Sequence, residues 1–183
     1  MKLAFIIGHC PAKPGAKLYN GQTEFSYHLN LLGRYLVPRL ETMATQYDIF
    51  WRPGNKNYRA AISSLAKRVN EWNPDMAIEL HINALNGRDK IRGHEFLYNH
   101  SVSQSYGLRY SDALQALGIR RRRSVQAISG TRGAYNLLSL KCPGILLEPC
   151  FGDTENEDSI EIVGKPEQYA EILAETLWEW EYE

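Results

Sequence analysis

The sequence predicts an α/β fold: a single domain with a mixed, mostly parallel β-sheet of about six strands and helices on both faces. Three observations carry this. Strand-like and helix-like segments alternate along the chain, as they do in layered α/β domains. Three segments, at 3–7, 76–80 and 145–147, read as strands of the buried type, the first a continuous apolar run. The length, 183 residues, fits one domain whose core needs no disulfide staples.

The elements follow in order. The run 3–7 ends at Gly8 and reads as a central strand. Residues 10–23 hold two Pro and two Gly and read as a loop. Phe25, Leu29, Leu32, Leu36, Leu40 and Met43 then recur at three- and four-residue steps, one face of a long helix. Thr23 or Gln22 is its candidate cap, and Pro38 should kink or break it. Residues 47–51 form a second strand. Tyr58, Ile62, Leu65, Val69 and Trp72 mark a helix stopped at Asn73-Pro74. The third strand is 76–80, and 86–92 is a polar loop. Strand 95–98 and helix 103–117, ended by Gly118, come next. Residues 124–128 suit a short strand, 137–140 are ambiguous, and 143–147 form another apolar strand. A final helix starts near Pro166, with Tyr169, Ile172, Leu173, Thr176, Leu177 and Trp180 on one face and acids on the other.

Charge narrows the partners. Lys+Arg and Asp+Glu are both 21, so the formal net charge is zero. A nucleic-acid partner is not expected, because phosphate binding shows as excess positive charge. The balance hides a split: residues 155–183 hold ten acids and one base, a formal −9, and residues 1–154 carry +9. The three cysteines, Cys10, Cys142 and Cys150, have no CxxC spacing and suit a reducing compartment. The first residues are too short an apolar run for a signal peptide, and no segment approaches the ~20 apolar residues of a membrane span. The expectation is synthesis in the cytoplasm without membrane insertion. Oligomeric state has no signal.

Three of the buried-type strands lead into a reactive residue: His9 after Gly8, His81 after Leu80, and Glu148 after Leu147. Open α/β sheets bind ligands at the carboxyl ends of their strands. Glu24, at the start of the long helix, can be brought beside His9 by the loop before it. Two His and two Glu are the inventory of a catalytic zinc site: three ligands, an open position for water, and a carboxylate outside the shell for proton transfer. Singly, each has a plainer reading. A histidine after a strand is most often hydrogen-bonded, and Glu24 suits a helix N-terminus. Glu148, at the rim of a core strand, needs a partner.

The ordered motifs resemble the zinc-dependent N-acetylmuramoyl-L-alanine amidases of phage endolysins and bacterial cell-separation enzymes. Gly8-His9-Cys10-Pro11 stands where that family has Gly-His-Gly-Gly. Glu24 matches its helix-initial ligand. Glu79-Leu80-His81-Ile82-Asn83-Ala84 matches Ser-x-His-x-Asn-Ala, and Gly93-His94-Glu95 matches Gly-x-Glu. Glu148-Pro149-Cys150-Phe151, followed by Asn156 and Asp158, matches Glu-x-x-Phe with its Asn and Asp. The resemblance implies one zinc ion held by His9, Glu24 and His81, with Glu148 as general base and acid. It implies cleavage of the amide between the lactyl group of N-acetylmuramic acid and L-alanine of the peptidoglycan stem. On this reading residues 1–183 are all catalytic domain, with no separate wall-binding module. The enzyme would reach the wall after phage-type release or non-standard export. Two departures stand out. Cys10-Pro11 replaces two glycines, and Glu79 replaces the usual Ser. Glu79 points to the opposite face from Leu80 and is read as lying outside the ligand set.

Asn83, Glu95 and Arg132 are the candidates for touching substrate. Residues 118–132 hold five Arg and no acid, with Arg120, Arg121, Arg122 and Arg123 consecutive. They read equally as a solvated loop or as a grip on substrate carboxylates. His94 reads as structural, His28 as a helix-surface residue, and His100 as a turn or cap. Cys10 reads as a small buried side chain. The alternative function is a zinc carboxypeptidase or acyl-amino-acid deacylase acting on small soluble substrates. A Cys-His hydrolase using Cys10, and a wall-binding protein with a degenerate site, are the readings from other classes.

Overall fold

In the computed structural model, which describes residues 1–43, 45–54, 57–85, 91–131 and 133–181, six strands form one sheet. They are β1 (Lys2–Ile7), β2 (Gln46–Trp51), β3 (Met76–Leu80), β4 (His94–Tyr98), β5 (Arg121–Gln126) and β6 (Gly144–Glu148). Their order across the sheet is β2-β1-β3-β6-β4-β5. Every neighbouring pair is parallel except β4 and β6. This is the mixed, mostly parallel sheet that the alternating pattern predicts.

Helices make the crossovers. From β1 to β2 run α1 (Glu24–Asn30), a π-helical segment (Leu31–Leu36) and α2 (Val37–Thr42). Then come α3 (Tyr58–Trp72), α4 (Ser101–Ala116), α5 (Ala134–Leu137), α6 (Glu157–Ile162) and α7 (Pro166–Glu181). Alternation along β1 builds a core on each side. Leu3, Phe5 and Ile7 pack with Leu31, Tyr110 and Leu173, under the α1, α4 and α7 layer. Ala4 and Ile6 pack with Leu65 and Val69 of α3. On that second face, Leu97 and Leu146 meet Ala134 and Leu137 of α5. Among the described residues no helix is long and apolar enough to cross a membrane.

Several local expectations are corrected. The long helix does not break at Pro38. The Val37 N–H donates to the Leu32 carbonyl, five residues back, and Pro38 falls in the first turn of α2, where a missing N–H is tolerated. The strand expected at 124–128 begins at Arg121. An edge strand has no second neighbour and can be charged on both faces, and β5 is exposed almost throughout. The ambiguous stretch near 137 is the end of a one-turn helix, α5. Helix α6 was not foreseen; Asn156 caps it by accepting from the Ser159 N–H. Positions 86–90 of the polar loop lie outside the described residues.

Candidate metal centre

Sheet pairing places the strand-end residues. Ile7 pairs with Leu80, so His9 and His81 leave adjacent strands almost side by side. Their rings meet edge to face with centroids 5.1 Å apart. The Thr23 hydroxyl caps α1 by accepting from the Ser26 N–H (3.3 Å), which sets Glu24 as the first helical residue. The backbone of Glu24 is tied back by a 2.9 Å hydrogen bond to the Ala16 carbonyl. Its carboxylate, 2% exposed, then lies between the two imidazoles. Glu24 Oε2 is 3.2 Å from His9 Nε2, and Glu24 Oε1 is 3.0 Å from His81 Nδ1. The N–H groups of Ile82 (2.9 Å) and Ala16 (3.2 Å) donate to the same carboxylate.

One ligand atom from each of His9, Glu24 and His81 falls within a 4.8 Å cluster. Zinc bonds of 2.0–2.1 Å in a tetrahedron separate ligand atoms by about 3.3 Å. The observed 3.0 and 3.2 Å contacts to Glu24 are near that spacing. Two nitrogens and a carboxylate oxygen also suit zinc better than a hard cation that prefers oxygen.

The electrostatics follow from burial against pairing. Burial pushes the Glu24 carboxyl upward, but its hydrogen bonds with His81 and His9 outweigh that and hold it well below the usual carboxylate range. Burial pulls His81 down, while hydrogen bonds to Glu24 and Glu79 lift it to about 10. Arg52 Nη2, which can only donate, points at His9 Nδ1 (3.2 Å), and His9 Nε2 faces Glu24.

The profile of the N-acetylmuramoyl-L-alanine amidases matches residues 4–175. The chain belongs to that family. No curated protein sequence matched it. Among solved structures, it is similar to the N-acetylmuramoyl-L-alanine amidase AmiC2 of Nostoc punctiforme, with 19% identity, 100% of this chain and 98% of that one covered, and a TM-score of 0.79. The catalytic domain of the CD27L endolysin targeting Clostridia difficile shares 25% identity, with 98% and 97% covered and a TM-score of 0.77. The CwlD amidase of Clostridioides difficile, in complex with the GerS lipoprotein, shares 18% identity, with 98% and 97% covered and a TM-score of 0.75.

In this amidase the remaining candidates spread along the same sheet edge. The His81 N–H donates to the Leu147 carbonyl (2.9 Å), so Glu148 stands on the strand beside His81. Glu148 pairs directly across the antiparallel ladder with Glu95, which sets the two side chains on one face about 5 Å apart at Cβ. Glu95 is buried and ion-paired with Arg122, and Arg123 Nη1 lies 3.9 Å from its other oxygen. A bulge at His94/Glu95 gives β5 an extra residue, which lets two consecutive arginines reach one carboxylate. The arginine run is therefore a strand beside the site, not a loop. Asn83 is pinned by its N–H to the Cys150 carbonyl (3.0 Å), and its Nδ2 is buried with no partner among the described residues. Arg132 lies outside the described residues.

Other histidines sort differently from one another. His28, expected at a helix surface, is fully buried one turn after Glu24 on the inward face of α1. Burial pushes its pKa down to about 3, so it is neutral. His94 is buried, with Nδ1–H donating to the Ile119 carbonyl (3.1 Å) and Nε2 accepting from the Ser111 hydroxyl (2.8 Å). His100 caps α4. Cys10 is buried. Glu79 does turn away from Leu80, but the same alternation turns it toward His81 and into contact with it. Arg52 and Asn136 are the neighbours that strand-end reasoning missed, and Glu79 is one it set aside. For Glu79 the two-residue spacing from His81 was the available signal.

Proposed function

We propose that this amidase is zinc-dependent and hydrolyses the amide joining the lactyl group of N-acetylmuramic acid to L-alanine of the peptidoglycan stem. The observation that carries this is the His9–Glu24–His81 cluster with Glu148 on the adjacent strand. Zinc held by those three side chains would supply Lewis acidity to the scissile carbonyl and to water.

The protein's own groups do the rest. Glu148 accepts the proton of the attacking water and passes it to the departing alanine nitrogen, acting first as base and then as acid. Arg122 pairs with Glu95, so the carboxylate across the ladder from Glu148 has a cation of its own. The likeness to an endolysin catalytic domain supports action on the wall after release from the cytoplasm.

Purified sacculi incubated with the protein test this. New alanine amino groups without new reducing ends, abolished by a chelator and restored by zinc, are expected. New reducing ends would mean a glycosidase. Turnover of small acyl amino acids with intact sacculi would mean the carboxypeptidase or deacylase class.

A further inference from the structure

We propose that Glu79, anchored by Asn136, is a positioning residue that holds His81 with Nδ1 directed at the metal; this rests on the zinc reading above. Glu79 is 3% exposed, and a buried carboxylate demands partners for both oxygens. It has one for each. Oε1 accepts from His81 Nε2 (3.2 Å), and Oε2 accepts from Asn136 Nδ2 (2.7 Å). Asn136 is 2% exposed, on α5, beside Leu137 in the core of that face.

The geometry assigns the ring. Nε2–H faces Glu79 and Nδ1 faces Glu24, so the nitrogen within the ligand cluster is Nδ1. Rotating the ring about Cβ–Cγ would take both nitrogens off their carboxylates. On another side the ring lies against Gly8, where a Cβ would come 1.9 Å from Nε2. A metal-bound imidazole whose other N–H is held by a carboxylate is fixed in tautomer and orientation, and is a better ligand for it. The serine that the family motif carries here is two atoms shorter and could not span His81 and Asn136 together. This chain has therefore added a carboxylate–histidine pair behind its metal ligand, backed by an amide from a helix.

Zinc affinity of the apoprotein, read by competition with a chromophoric chelator, tests this, with thermal unfolding in EDTA alongside. Glu79→Ser should weaken zinc binding by about ten- to a hundredfold. Glu79→Gln, which keeps an acceptor for Nε2–H, should lose less, and Asn136→Ala should fall in the same direction. Nitrogen-15 spectra of the zinc-loaded wild type should show His81 metallated at Nδ1 and protonated at Nε2. Unchanged zinc affinity in folded Glu79→Ser overturns the proposal, as does metallation at Nε2. The wild-type spectrum decides the matter even where a variant fails to fold. A wild type that binds no zinc overturns the metal reading itself.

Discussion

Gly8 and Gly15 wall the ligand cluster from two sides. A Cβ on Gly15, at φ +81°, would come 2.5 Å from Glu24 Oε2, as one on Gly8 would strike His81. Gly8→Ala should therefore displace the His81 ring and weaken zinc binding about tenfold or more in chelator competition. Glu148→Gln should keep zinc and lose turnover by about 10²–10⁴-fold, whereas His81→Ala should lose the metal; both are read by metal analysis beside sacculus hydrolysis. Like the buried His28, His94 weakens the fold in acid. Burial holds it neutral down to about pH 4, although an unfolded histidine protonates near 6.5. Between those values the unfolded chain binds the extra proton, so stability falls as pH drops from 6.5 toward 4. Urea unfolding at pH 7 and pH 5 should differ by about 2 kcal/mol from this group, and His94→Gln should flatten that difference. His9, His81 and Glu148 were legible because a reactive residue after an apolar strand is conspicuous. The burial of His28 was not, because it depends on which face of α1 meets the sheet, and polar residues rarely mark that face.

At the scale of elements, the metal ligand at the start of α1 depends on the cap before it. Thr23 and Ser26 form a reciprocal capping box. Thr23→Ala should cost about 1 kcal/mol, and the fraying first turn carries Glu24. Thermal unfolding in EDTA and zinc affinity should both decline. Strands β1 and β6 were readable as buried apolar runs, and β3 as one interrupted by Glu79. The start of β5 was not, since four arginines carry no period-two pattern. The π-helical segment before Pro38 was not legible either, because a helix break and a widened turn begin from the same residue. Helix α6 is six residues long, below the length at which periodicity separates a helix from a loop.

Across the whole molecule, the charge split becomes a placement. α7 packs on α2, α4, α6 and the π-helical segment. That is the sheet face opposite α3 and α5, and opposite the side on which Glu79 meets Asn136 of α5. Its acids Glu171, Glu175 and Glu179 are on the exposed side. Arg120 and Arg121, by contrast, lie exposed at the edge next to Glu95. Sacculus binding should weaken as salt rises. Replacing the three glutamates by Gln should leave hydrolysis within about twofold, while Arg120→Ala with Arg121→Ala should reduce binding at low salt.

β5 also ends the sheet, and the last strand of an open sheet offers a row of unpaired backbone groups to any passing chain. Here that row is fenced by Arg121, Arg122 and Arg123. Bulky charged side chains along that strand disfavour its pairing with another sheet edge.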